Sequence, residues 1–145
     1  QGQEHQRLSR ENKIAGQEFL DENKTKEGVL VRRSTLQFKK IVTGTGTVPD
    51  YDDVVTVHYN GYLIDGHKFD SSYDRGNAAT FPVKGVIPGW TEILQIMPVG
   101  SKWEVYIPYN LGYGEKGIQG QEKGTYVIPP SATLIFEIEL LGISN

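Results

Sequence analysis

The sequence predicts an α+β fold: an antiparallel β-sheet wrapped on a single short helix, with a helical extension ahead of it. Three observations predict it. Runs that alternate apolar and polar residues recur after Gly28, one helical stretch among them carries a strong apolar stripe, and no βαβ rhythm connects them. At 145 residues the chain is long enough for one domain with one real core.

The elements follow in order. Residues 1–28 hold no proline and a single aromatic, Phe19, and eleven of them are charged, which sets them apart as an N-terminal extension. The opening "QGQEHQ" reads as disordered. Ser9 to about Lys26 reads as a helix whose narrow stripe is Ile14, Ala15, Phe19 and Leu20. Such a helix needs a partner surface, in its own domain or on a second chain, and a frayed tail is an equal alternative. "VLVRRS" and "TLQFKKIVTG" are short β-prone runs, and the lone GxG of "TGTGTVPD" is a poor dinucleotide motif because no helical sequence follows. In "DVVTVHYNGYLI", Val55, Val57, Tyr59 and Leu63 share one face while Thr56, His58 and Asn60 share the other. Asn60-Gly61 and Asp65-Gly66 both resemble hairpin turns, and the alternation stops at the second, so the turn is placed there.

"VIPGWTEILQIMPVG" is the core helix. Trp90, Ile93, Leu94 and Met97 fall at i, i+3, i+4 and i+7, Pro88 stands near its start, and Pro98 and Gly100 stop it. "SKWEVYIPY" sets Trp103, Val105 and Ile107 opposite Lys102, Glu104 and Tyr106. "ATLIFEIELLGI" sets Leu134, Phe136, Ile138 and Leu140 opposite Glu137 and Glu139.

Composition excludes several classes. A net charge of −3 with both signs interspersed leaves no basic face for nucleic acid. No apolar run approaches the length of a membrane span. The absence of cysteine removes disulfides and thiolate metal sites. The chain does not begin with Met, which fits a processed or a trimmed form, and any signal peptide would already be gone.

"LIDGHKFDSSYDRG" gathers His67, Asp70 and Ser71, the ingredients of a hydrolase. No G-x-S-x-G elbow surrounds any serine, however, and no oxyanion-hole sequence accompanies them. His5 reads as part of a floppy tail, and His58 and His67 as solvent-facing. Three scattered histidines give no standard metal spacing, so neither metal nor cofactor is expected. "NKT" at Asn23 fits a glycosylation sequon, a pattern short enough to arise by chance. What remains is a set of aromatics suited to an apolar pocket, although any one of them alone reads as core.

Taken together, "VTVHYNGYLIDGHKFDSSYDRG", "FPVKGVIPGWTEILQIMPVGSKWEVYIP", "LGYG" and "VIPPSATLIFEIELLGI" resemble the FKBP-type peptidyl-prolyl cis-trans isomerases. The likeness runs in order over about residues 49–143 and is greatest to the bacterial macrophage-infectivity-potentiator and FkpA-like branch. It implies a sheet bent into a half-barrel, an isomerase domain over 29–145 and an N-terminal extension over 1–28. It further implies that Tyr59, Phe69, Asp70, Trp90 and Phe136 are the catalytic pocket and that Arg75, Val86, Ile87, Tyr113 and Ile128 bind substrate. Trp90 would be the floor and Asp70 the polar group beside the prolyl amide, with Arg75 its counter-charge. The Ile87 N–H and the Tyr113 hydroxyl would bond ligand carbonyls.

The implied partners are proline-containing unfolded polypeptides and macrolides of the tacrolimus and rapamycin type. The implied location is the bacterial periplasm or cell envelope rather than the cytoplasm. The chain would act as a monomer or as a homodimer joined through the N-terminal helix. Three departures stand out. Ala78 replaces a proline common in the branch, Ala79 replaces a pocket aromatic of the small eukaryotic members, and "EKGIQGQEKGTY" is longer than the usual loop. Ala79 thins one wall, and the long loop is a lid or a tolerated insertion. The same pocket with little turnover would instead make a holdase chaperone or peptide-binding module.

Overall fold

The computed structural model describes residues 2–144. Its elements are α1 (Gly2–Asn23), β1 (Val29–Val31), β2 (Gln37–Val42), β3 (Val54–Leu63), β4 (Lys68–Ser71), α2 (Ser72–Arg75), β5 (Ala79–Pro82), α3 (Pro88–Leu94), β6 (Lys102–Ile107), β7 (Ile118–Gln119), β8 (Tyr126–Ile128) and β9 (Leu134–Ile143).

Seven strands make one antiparallel sheet in the order β1-β2-β6-β9-β3-β4, with β5 also pairing β3. The ten-residue β3 organises the site. Residues 54–57 pair with β5 and residues 60–62 with β4, while β9 runs along its other edge from Ile143 opposite Val55 to Leu134 opposite Leu63. Period-2 burial follows: Val55, Val57 and Tyr59 point inward. The turn falls at Asp65-Gly66, where Gly66 takes a positive φ of 95°.

Asn60-Gly61 instead lies within β3, and the reason is space. A Cβ on Gly61 would come within 2.7 Å of the Phe69 ring and 2.8 Å of the Phe136 ring. The concave face of the sheet closes on α3, whose Trp90, Ile93 and Leu94, with Met97 just beyond, are all buried. Burial of each such side chain is worth about 1.5–3 kcal/mol, so this one stripe anchors the helix.

The N-terminal segment departs from expectation. Helix begins at Gly2, so "QGQEHQ" is not a disordered tail, apart from Gln1, which lies outside the described residues. Its buried residues are Ser9, Gly16, Leu20 and Asn23, while Ile14 is 62% exposed. These sit at i, i+7, i+11 and i+14, one face of a helix, but they are mostly small and polar, so apolar periodicity does not mark them.

The lower half of α1 covers the outer face of β2 and β6. Asn23 Nδ2 donates to Gln37 Oε1 (2.9 Å), Gln37 Nε2 donates to the Leu20 carbonyl (3.0 Å), and the rings of Phe19 and Tyr106 lie 6.1 Å apart. Tyr106, expected on a polar face, is therefore buried, and its hydroxyl donates to Glu104. Asn23, buried and bonded, is a poor glycan acceptor.

Candidate active site

Two adjacent serines position the site. Ser71 ends β4 and caps α2, its hydroxyl accepting the Asp74 N–H (3.1 Å) and donating to Asn60 Oδ1 (2.5 Å). Ser72, fully buried, accepts the Tyr59 N–H (2.7 Å) and lies 2.7 Å from His58 Nδ1. Together the serines tie the β4–α2 corner to β3. Ser71 is thus occupied as a cap rather than poised as a nucleophile, and His67 stands exposed at the turn, so no triad forms. His58 is not simply solvent-facing, because it stacks on Tyr73 with centroids 4.4 Å apart. Among the described residues, no three His, Cys, Asp or Glu side chains gather to hold a metal ion.

A cavity of about 430 Å³ opens between the sheet, α3 and the loop after β6. Tyr59, Phe69, Asp70, Val86, Ile87, Trp90, Tyr113 and Phe136 line it, together with Phe81 and Gly85. Trp90 forms its base. Tyr59, Phe81 and Phe136 meet the indole edge-to-face at 5.1, 5.6 and 5.3 Å, and Phe69 meets Phe136 in the same way at 5.6 Å. Each such pair adds about 0.5–1.5 kcal/mol beyond area burial and fixes the ring planes. The indole N–H has no hydrogen-bond partner among the described residues, a desolvation cost of about 1–3 kcal/mol that the ring packing offsets.

Two sequence candidates sit differently. Ile128 is buried in the core and does not line the cavity. Arg75 lies at the exposed rim and acts through its partners, donating to Asp70 Oδ1 and, at 3.1 Å, to the Tyr59 hydroxyl. Phe81 was not among the candidates. The signal for it was β5, where the pleat puts Ala79 and Phe81 on one face, so an aromatic two residues on covers the wall that Ala79 thins. The long loop is ordered into the β7–β8 hairpin.

One carboxylate faces this apolar cavity. Asp70 Oδ2 accepts from the Tyr59 hydroxyl (2.6 Å), while Oδ1 accepts from Arg75 and from the Ser71 N–H (2.9 Å). Burial pushes the carboxyl upward, but the Tyr59 and Arg75 bonds, the Arg75 charge and the Ser71 N–H together outweigh it, so Asp70 sits below its ordinary value. Tyr59 moves upward through burial and its bond to the carboxylate, against the opposing guanidinium. Burial raises Tyr113 as well, with a further push from the Asp70 charge. At neutral pH the rim is therefore a carboxylate, a guanidinium and two phenols. Neither the Ile87 N–H nor the Tyr113 hydroxyl bonds another protein group among the described residues, which leaves both free for a ligand.

Residues 46–141 match the family described as FKBP-type peptidyl-prolyl cis-trans isomerase, and residues 1–39 match the domain amino-terminal to such isomerases. The chain is 55% identical over 128 residues to the FKBP-type 22 kDa peptidyl-prolyl cis-trans isomerase of Escherichia coli K12, covering 88% of this chain and 59% of that protein. It is 49% identical over 142 residues to the outer membrane protein MIP of Legionella longbeachae, covering 98% of this chain and 58% of that one. The crystal structure of FkpA from Escherichia coli superposes with a TM-score of 0.90 at 37% identity, covering 97% of this chain and 63% of that one. The chain thus spans rather more than half the length of these relatives.

Proposed function

The chain belongs to the FKBP-type peptidyl-prolyl cis-trans isomerase family, and we propose that it accelerates X-Pro rotation in folding polypeptides by holding the prolyl segment in the Trp90 cavity. The observation that carries this reading is an apolar, aromatic-walled cavity with one ionised carboxylate at its rim and two unpaired polar handles. Rotation of X-Pro faces a barrier of roughly 18–20 kcal/mol because amide resonance is lost in the twisted state. No bond is cleaved, so no nucleophile is needed.

The planar amide is the more dipolar form, and a dry cavity disfavours it relative to the twisted one. The proline ring would rest on the Trp90 indole between Tyr59 and Phe136, with the Ile87 N–H and the Tyr113 hydroxyl bonding the flanking carbonyls. Asp70, fixed by Tyr59 and Arg75, supplies electrostatic stabilisation rather than proton transfer, since its depressed pKa makes it a poor base at neutral pH. Each 1.4 kcal/mol or so of differential stabilisation gives about tenfold in rate.

In this reading residues 29–145 form the isomerase domain and residues 1–28 its extension. The cavity also accepts tacrolimus-type macrolides, with Phe81 standing in for the aromatic missing at Ala79. The likeness to a relative named as an outer membrane protein supports a place in the bacterial cell envelope, and no helix among the described residues is long and apolar enough to cross a membrane.

A protease-coupled assay on a proline-containing tetrapeptide tests the proposal. Acceleration abolished by a macrolide supports it, and its absence overturns it. A second reading, peptide holding with little turnover, draws on the apolar side chains exposed along the loop after β6, Tyr113 (37%), Ile118 (37%) and Val127 (45%). It predicts that unfolded clients stay soluble while the tetrapeptide isomerises at its uncatalysed rate.

A further inference from the structure

We infer that α1 is a positioning element of the cavity: one polar face of it braces the loop that carries Tyr113, so the helix sets how tightly the site holds a prolyl segment. This rests on the reading above, because it assumes that the cavity is where the substrate binds.

The loop between β6 and β9 is long, and its regular structure amounts to one helical turn and the two-stranded β7–β8 hairpin. A segment of this kind has little core of its own and must be ordered from outside. Tyr113 hangs from it by three backbone bonds: Gly114 N–H to the Tyr109 carbonyl (3.0 Å), Gly117 N–H to the Tyr113 carbonyl (3.2 Å) and Ser131 N–H to the Gly114 carbonyl (2.9 Å). The last of these depends on Ser131, a non-glycine residue held at φ 57°. That left-handed conformation is unfavourable for serine and persists only where its surroundings enforce it.

The surroundings are α1. Ser9 Oγ lies 2.6 Å from Ser131 Oγ, with both residues buried. Asn12 Nδ2 donates to the Pro130 carbonyl (2.9 Å), and Lys13 pairs with Glu115 (2.5 Å). His5 uses both ring nitrogens: Nε2 donates to the Glu115 carbonyl (3.0 Å), while Nδ1 lies 2.9 Å from the Tyr126 hydroxyl. Gly16 closes the row, because a Cβ there would lie 2.2 Å from Thr133 Oγ1. His5, Ser9, Asn12 and Gly16 repeat at helical spacing, and every partner lies on the loop or on Thr133 beside β9. A polar helix of this kind is not stable alone, so helix and loop order each other.

The test compares the whole chain with Gly16→Ala, with Gly16→Ala/Thr133→Ala and with Glu18→Gln, a change on the exposed face of α1. Alanine is the better helix former, so any loss in Gly16→Ala reflects undocking rather than helix melting. Removing Thr133 Oγ1 leaves a nearest contact of 3.1 Å, which a small shift relieves. Readouts are amide hydrogen exchange at Gly114, Gly117 and Ser131 and isomerisation kinetics, with the affinity for a proline-containing tetrapeptide followed by tryptophan fluorescence.

In Gly16→Ala we expect faster exchange at those three amides with β3 and β9 unchanged. KM and the tetrapeptide Kd should rise about tenfold while kcat holds. The double variant should recover most of this, and Glu18→Gln should match the parent. Unchanged exchange overturns the proposal. So does faster exchange with unchanged affinity, since the helix would then be a purely structural support. A parent chain that binds the tetrapeptide without isomerising it refutes the enzymatic reading, while exchange and affinity still decide on the brace.

Discussion

The two sides of the cavity are built by different physics. The side formed by Tyr59, Phe136, Phe69 and Trp90 stands on β3, β9, β4 and α3, where ladder bonds and edge-to-face rings fix each plane. The side formed by Tyr113 stands on a loop held by a few backbone bonds and by polar contacts to a surface helix. Tyr59, Trp90 and Phe136 are part of the core and Phe69 packs against it, so the proposed catalysis and stability are inseparable there. Tyr113 is 37% exposed and its hydroxyl is unpaired among the described residues, so on the second side the two can be separated.

Substitutions on each side test this contrast. Trp90→Ala should have the largest effect, costing about 3–5 kcal/mol in urea denaturation and abolishing isomerisation, because one ring is both floor and core. A variant that keeps its stability would show that the floor is independent of the core. Asp70→Leu should lower kcat/KM about ten- to a hundredfold, the worth of a charge-assisted contact, with the melting temperature within a few degrees of the parent. Full activity in Asp70→Leu would remove the carboxylate from the mechanism.

Tyr113→Phe should raise KM a few-fold and leave stability untouched, since no protein bond is lost. A large destabilisation would show that the loop wall is core after all. The smallest effect is that of pH. Asp70 is lowered in the folded state, so its stabilising contribution is complete above about pH 4 and fades as pH falls through the lowered value. Isomerisation followed by NMR exchange, which needs no protease, should be level from about pH 5 to 8 and decline only below about pH 4. A midpoint near neutrality would point to another group.

The same contrast separates what was legible from what was not. Val55, Val57 and Tyr59 alternate, and Trp90, Ile93, Leu94 and Met97 fall on one helical stripe, so strand, helix and their inward faces could be read directly. Sequence alone placed eight of the ten candidate positions around what proved to be one cavity, but through family resemblance rather than periodicity. Phe81 escaped because the family pattern marks position 79, two residues earlier on the same face of β5. Gly61 resembled a turn residue because a hairpin signal and a space requirement look alike in one letter. Tyr106 and the docking face of α1 escaped for a deeper reason: Tyr106 is covered by Phe19 of a distant helix, and Ser9 and Asn12 meet Ser131 and Pro130 near the other end of the chain.

The period of each element, the apolar stripe of α3 and the turn at Asp65-Gly66 were set by neighbours a few residues apart, and the ordered motifs along the chain fixed the family and the pairing of Arg75 with Asp70. The folded sheet alone settled that the Tyr59 hydroxyl would also hold Asp70, that Ile128 would lie behind the cavity and that Ser9 would meet Ser131. Those outcomes depend on which surfaces the folded sheet brings together, and a polar or small residue carries no mark of a partner more than a hundred positions away.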